Sequence, residues 1–333
     1  MITNLRRYAP DPFITAIVLT VILATFLPAR GLFATIVGYV TTAAIVLLFF
    51  LHGLRLPRDA LIAGLRNWRL HITILSATFV LFPLVGLALS NAFPGLMPRT
   101  LWIGVLFLCA LPSTVQSSIA FTSIARGNVA GAVAAAGASN MIGIVLTPLI
   151  VSFLVRSHGG GISFSGIWDV VLQLCVPFVA GHLMRPWLAG WSVRHKTLTT
   201  LTDRGTIVLA VYSAFSAAVL GGIWHQLPPS GFAILILVCA VILAIVLAVT
   251  HFGSGFAGFS REDQIAIVFC GSKKSLASGI PMARVLFAGS GLGAIILPLM
   301  IFHQMQLMVC AWLARRYAEQ PLPGVSTSAA DQA

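Results

Sequence analysis

Apolar residues fall in long unbroken runs along this chain, with polar residues confined to short gaps. Runs of about 17–25 residues are long enough, as helices, to cross the hydrocarbon of a bilayer. They predict ten spans, near residues 12–29, 33–53, 71–90, 100–125, 128–155, 167–188, 206–224, 231–252, 262–287 and 291–314. Continuous runs exclude a β-barrel, whose strands alternate. The expected fold is an all-α integral membrane protein. Ten spans divide five and five, and an odd number per half reverses the second half. The pattern therefore predicts inverted repeats, about 10–155 and 165–316, in one transmembrane domain over residues 1–319.

The first run, "LRRYAPDPFITAIVLTVILATFLPARG", has the arginines of a signal peptide. It approaches spanning length and no A-x-A site follows it, so it reads as a first membrane helix. Residues 55–70 predict a short amphipathic surface helix, and the 190–204 loop takes the matching place in the second half. The small, polar stretch 320–333 predicts a disordered cytoplasmic tail.

Composition agrees: 58% of the 333 residues are hydrophobic and 8% charged, against roughly 25% charged in soluble domains. The net charge of +12 is a topology signal rather than a nucleic-acid footprint. With the N-terminus inside, fourteen Lys or Arg fall on the cytoplasmic side and four (Arg30, Arg99, Arg156, Arg284) on the other. This predicts a multi-pass protein of the cell inner membrane with both termini cytoplasmic. Trp68, Trp102, Trp187, Trp191 and Trp224 near span ends read as interfacial anchors. Cys109, Cys175, Cys239, Cys270 and Cys310 lie in apolar segments without a CxxC pair, which argues against disulfides or zinc.

Two spans are interrupted. The fourth carries Pro112 near its middle, followed by Ser113, Thr114, Gln116, Ser117 and Ser118; the ninth carries "CGSKKS" at the corresponding place. Proline frees backbone carbonyls that need new partners. Matched broken helices point to a transporter's central site, with half-helix N-termini presented to an anion. Lys273 and Lys274 stand roughly 18 Å of helix from Glu262, near mid-depth. A charge there costs on the order of 2.5–3.5 kcal/mol, so an idle pair is not expected. The eight acids map to loops or span ends.

The stretches "FFLHGLRLP" (49–57), "IARGNVAGAVAAAGASN" (124–140), the "LTPL" closing the fifth span and "FHQ" (302–304) carry a family resemblance. The chain resembles the symporter-like branch of the bile acid:sodium symporter superfamily. That resemblance implies ten helices in two inverted repeats, a panel and a core, with unwound fourth and ninth helices crossing in the core. It also implies sodium sites on the fourth, fifth and ninth helices. Here Ser117 and Ser118 match the fourth-helix positions, while the fifth-helix hydroxyls fall at Ala132 and Ala136 and the glutamate at Val268. Ser139 and Asn140 are the nearest polar groups, so sodium is expected, if anywhere, near Ser117, Ser118 and Asn140. A lysine ammonium can stand where a bound cation would sit.

These residues predict a secondary transporter of a small organic anion working by alternating access, not an enzyme, with no cofactor and with sodium or a proton as coupling ion. Candidate site residues are Gln116, Ser117, Ser118, Thr122, Ser139, Asn140, Ser272, Lys273, Lys274, Ser275, His303 and Gln304. His303, Gln304 and Gln306 place polar groups inside the tenth span, where they either bond a neighbouring helix or line the path. Arg126 and Asn128 are expected to make the tight turn between spans four and five. His182 is expected at an interface, and "GGG" at 159–161 reads as an external loop. Two alternatives remain: a non-transporting membrane regulator of ion homeostasis that keeps the fold, and a sodium-coupled symporter with altered sites.

Overall fold

A computed structural model describes residues 12–55, 67–157, 171–222, 229–287 and 291–320. Within them every regular element is helical. Helix α1 is Pro12–Phe26, α2 Gly31–Arg55, α3 Trp68–Ala92, α4 Arg99–Ala110, α5 Gln116–Ile124 and α6 Val129–Ser157. There follow α7 Val176–Leu183 (entered through a π turn, Val171–Cys175), α8 Arg185–Arg194, α9 Lys196–Leu220 and α10 Pro229–Phe256. The last are α11 Arg261–Gly271, α12 Leu276–Leu286 and α13 Leu292–Glu319.

Six of these helices are long and apolar enough to cross a membrane: α2, α3, α6, α9, α10 and α13. Their outward faces carry large apolar side chains such as Tyr39, Phe153, Leu237 and Phe256. A surface of that kind is stable only against lipid, and the chain is a multi-pass membrane protein. The expected fourth and ninth spans are each two short helices, α4 with α5 and α11 with α12, separated by extended residues.

Helices α1, α2, α7 and α9 pack on one another, and α3 to α6 with α10 to α13 form a second group. Helix α9 joins the groups by packing on α12 and α13. The α2–α7 contact is backbone to backbone. A Cβ built on Gly53 would lie 1.9 Å from the Phe178 carbonyl oxygen, and one on Gly181 would lie 2.0 Å from that of Phe50. Small residues allow such an approach in lipid, where close packing rather than hydrophobicity drives association.

The α5–α6 turn is built as the sequence predicts. Arg126 takes φ 59°, and the Gly127 amide donates to the Thr122 carbonyl at 2.8 Å. Asn128 then donates to Asp263 at 2.7 Å and accepts from the Gly131 amide.

Three expectations need correction. Much of the 190–204 loop is helix: α8 runs to Arg194 and α9 starts at Lys196. Its threonines read as polar in sequence but bond back along the helix, Thr202 to the Leu198 carbonyl and Thr206 to that of Thr202. Asp203 therefore belongs to a helix rather than a loop. Trp102 is no interfacial anchor: it is 3% exposed, because the start of α4 packs inward against α13. Residues 56–66, the glycines at 159–161, Trp224 and positions 321–333 lie outside the described residues.

Candidate functional site

The break between α4 and α5 frees a row of carbonyls, and each finds a specific donor. The Ser113 amide turns to the Ser139 hydroxyl at 3.0 Å instead of back to Cys109. The Ala110 carbonyl accepts from Thr147 at 2.9 Å, that of Pro112 from the Ser275 amide at 2.9 Å, and that of Ser113 from the Asn140 side chain at 2.7 Å. The carbonyls of Cys109 and Leu111 accept from Lys274 Nζ at 2.8 and 2.6 Å.

The other break is treated alike. Ser118 donates to the Phe269 carbonyl at 3.0 Å, Ser113 Oγ to that of Cys270 at 2.6 Å, and Ser272 to that of Val268 at 2.6 Å. Gln306 clamps Lys274 from α13, accepting from its amide at 2.8 Å and donating to its carbonyl at 2.9 Å. The two breaks thus hold each other, since unpaired backbone groups in hydrocarbon cost several kcal/mol each.

The adjacent lysines differ sharply. Both are wholly buried. Lys274 donates a third bond, to the Thr78 carbonyl at 2.7 Å. That carbonyl is free because α3 passes through a π turn, Ala77–Leu81, in which the Phe82 amide bonds Ala77 and the next residue, Pro83, has no N–H. Three carbonyls at 2.6–2.8 Å saturate the ammonium's three protons. The Phe82 ring closes the site, 4.1 Å from Nζ. Lys273 Nζ has no hydrogen-bond acceptor. It sits 4.0 Å from the Phe121 ring centroid and 5.5 Å from that of Phe269, held by cation–π attraction.

In front of the breaks lies a cavity of about 390 Å³ between the two helix groups. Thr114, Gln116 and Ser117 bring the N-terminus of α5 to it, and Ser275, Leu276 and Ser278 that of α12. First-turn amides lack intrahelical acceptors and carry the positive end of the helix dipole, so both ends favour an anion. Arg204 of α9 faces them, as do His52, Asp203 and His303. Asp203 is paired with Arg55 at 2.6 Å, which leaves the Arg204 charge to attract a ligand.

Of the residues singled out in the sequence, Gln116, Ser117, Asn140, Ser275 and His303 line this cavity. Ser118, Ser139 and Ser272 instead bond the broken backbone. Lys273 and Lys274 stand behind the lining, and Gln304 is not part of it. Thr122 is buried with its hydroxyl unpartnered. His303 lines the cavity, and its 2.9 Å bond is to Gln306 of its own helix rather than to a neighbouring one. His182 lies half-buried at the end of α7. Arg204 and Ser278 were missed, Thr114 was noted only as part of the fourth-span cluster, and Gln306 was undervalued. A helical reading of the threonine-rich segment would have put Arg204 one turn past Thr200, on the cavity face.

The positions that the resemblance assigns to cation ligands are apolar in space. Val268 packs with Ile265, Phe269, Cys310 and Tyr317, and the Ala132 carbonyl is met by Cys270 Sγ at 3.8 Å. Near Ser117 and Ser118 the oxygens are engaged. Thr114 bonds both hydroxyls at 2.8 and 3.1 Å, and Asn140 Oδ1 accepts from Ser278 at 2.7 Å.

Relatives place this architecture among transporters. A Pseudomonas aeruginosa protein without an assigned activity is 53% identical over 94% of this chain and 95% of its own length. The Escherichia coli K12 protein named "Putative symporter YfeH" is 50% identical over 97% of this chain and 98% of its own. "Sodium/bile acid cotransporter 7-B" of Xenopus laevis is 28% identical over 92% and 91%. Residues 11–319 match the SBF-like CPA transporter family, and with that match over nearly the whole described fold the chain belongs to this family of membrane transporters.

Proposed function

We propose that this chain carries a small organic anion across the inner membrane by alternating access, without a dissociable coupling cation. In this reading the ten spans form two inverted repeats with cytoplasmic termini. The α1, α2, α7 and α9 group is the panel, and α3 to α6 with α10 to α13 are the core. The anion binds in the cavity at the two half-helix N-termini, with Arg204 opposite. Gln116, Ser117 and His303 supply hydrogen bonds, while Asn140 and Ser275, whose protons go to Ser113, Ala136 and Ser278, hold the lining in place. Lys274 is a tethered substitute for a coupling cation, compensating the negative C-terminal end of α4 where the break exposes its carbonyls.

One observation carries the reading: Lys274 Nζ stands on three backbone carbonyls at 2.6–2.8 Å, directly behind a cavity onto which two helix N-termini open. A metal cation would take the same oxygens at similar distances. The engaged oxygens around Ser117, Ser118 and Asn140 argue in the same direction.

The test is uptake by purified protein in liposomes, over a panel of carboxylates and sulfonates, with sodium, potassium or a pH gradient imposed in turn. Saturable anion flux that is unchanged between sodium and potassium is expected. Strict dependence on sodium would overturn the tethered-cation reading, and absence of flux for every anion would favour a regulator that keeps the fold.

A further inference from the structure

A second cavity, of about 450 Å³, lies along the same seam and is lined by Ala29, Thr42, Ser213, Ser216 and Arg284 among others. The elements that flank it also flank the first. On α9, Arg204 faces the first cavity and Ser216 the second, twelve residues on, or roughly 18 Å along the helix. On α12, Ser278 faces the first and Arg284 the second; on α2, His52 and Thr42 divide likewise. Buried Ala210, Val211 and Ile280 occupy the helix stretches between.

Arg284 has no carboxylate partner among the described residues. Its guanidinium donates to the Ser213 hydroxyl at 2.5 Å and, weakly, to the Gly38 carbonyl at 3.4 Å. Five N–H groups in a planar fork leave donors for a further acceptor. The Ser216 hydroxyl, one turn from Ser213 on the same face, is 2% exposed and unpartnered. Arg284 is half-buried two residues before the end of α12, and an orphaned hydroxyl beside it shows that the polar set is incomplete.

We propose that this cavity is a second anion-binding subsite, reached from the face opposite the Arg204 cavity, where Arg284 takes the oxyanion head of the cargo. This deepens the transporter reading and rests on it for the word cargo. The ligand class is a carboxylate or sulfonate with an apolar body, because Ala29, Ala34, Ile45 and Leu292 line the remainder. Arg284 forks onto two oxygens, as guanidinium does with carboxylates, and Ser216 donates its free hydroxyl.

The experiment places a cysteine at Ser216 in a Cys175→Ser background, where the four other cysteines are buried. Impermeant sulfonatoethyl and trimethylammonioethyl methanethiosulfonates are applied to either face of protein reconstituted in known orientation, with Gln116→Cys as the reference for the first cavity. Ser216→Cys should react from the face opposite the one that labels Gln116→Cys. The anionic reagent should be faster by at least about tenfold, the usual scale of electrostatic focusing in a cleft. Arg284→Gln should reduce that preference to near parity while Gln116→Cys still reacts, which shows the fold intact. Equal rates with Arg284 present, a preference that survives its removal, labelling of both positions from one face, or no labelling at all would each overturn the proposal. Loss of liposome flux with the labelling preference retained would instead sink the transporter reading and leave the anion site standing.

Discussion

Lys274 meets the Thr78 carbonyl at 2.7 Å because the π turn of α3 hands that carbonyl's partner position to Pro83, which has no proton to give. Together with the two carbonyls freed beside Pro112, it makes a three-oxygen cradle filled by an ammonium of the chain itself.

Emptying the cradle should create a cation site. Lys274→Ala removes three charge-assisted bonds of about 1.5–3 kcal/mol each, offset in part by the saved desolvation. A net loss on the order of 3 kcal/mol is expected, read as a lower melting temperature in detergent. Sodium should then raise the melting temperature of the variant and leave that of the parent unchanged. Equal insensitivity of both proteins to sodium would show that the three carbonyls collapse rather than persist as a site.

Lys273 should behave oppositely. Its ammonium has two aromatic faces and no acceptor, so cation–π attraction of about 2 kcal/mol stands against a desolvation cost of several. Lys273→Met should keep or raise the melting temperature. A fall as large as that for Lys274→Ala would mean that Lys273 has a partner in the folded protein.

Gln306 sets the position of the Lys274 backbone, so its two bonds can be separated. Gln306→Glu, protonated by burial, keeps the acceptor for the Lys274 amide and exchanges the amide donor for a single O–H; Gln306→Leu loses both. Stability should fall in that order, by about 1 and then 2–3 kcal/mol, since the stranded backbone groups are buried. Urea-dependent unfolding in micelles measures it, and equal loss in both variants would count against the clamp.

Arg204 faces the cavity without belonging to either break. Arg204→Gln should raise the half-saturating anion concentration about tenfold and leave the maximal flux near the parent value, the signature of lost uniform binding. A fall in maximal flux alone would place Arg204 in the conformational step instead.

The α2–α7 contact predicts a steric effect. Gly53→Ala or Gly181→Ala puts a methyl 1.9 or 2.0 Å from a backbone oxygen, which only separation of the helices relieves. Each should cost at least 1–3 kcal/mol, as overpacking does. Full parental stability in both would mean that α2 and α7 sit farther apart.

Pro112 and the lysine pair made both breaks visible in sequence, because proline and charge are costly inside a span whatever surrounds them. That a lysine could stand in a cation's place was legible as an idea, but the partners of Lys274 were not. They depend on a π turn in a helix that reads as uniformly apolar, and on which carbonyl Pro83 leaves bare. Ser118, Ser139 and Ser272 look like ligands from composition, yet the broken backbone uses them first. Trp102 and Asp203 were misplaced for a related reason, since hydropathy registers polarity and span ends but not which face of a helix meets a neighbour.

A cation that is covalently part of the carrier cannot leave with the cargo. If flux proceeds as proposed, each monoanion crossing moves one uncompensated charge, so the membrane voltage becomes the driving force. At 100 mV, negative inside, that charge is worth about 2.3 kcal/mol in the outward direction, roughly a fifty-fold concentration ratio. In that reading the charge fixed at Lys274 leaves the distribution of the anion to the voltage alone, which favours its exit.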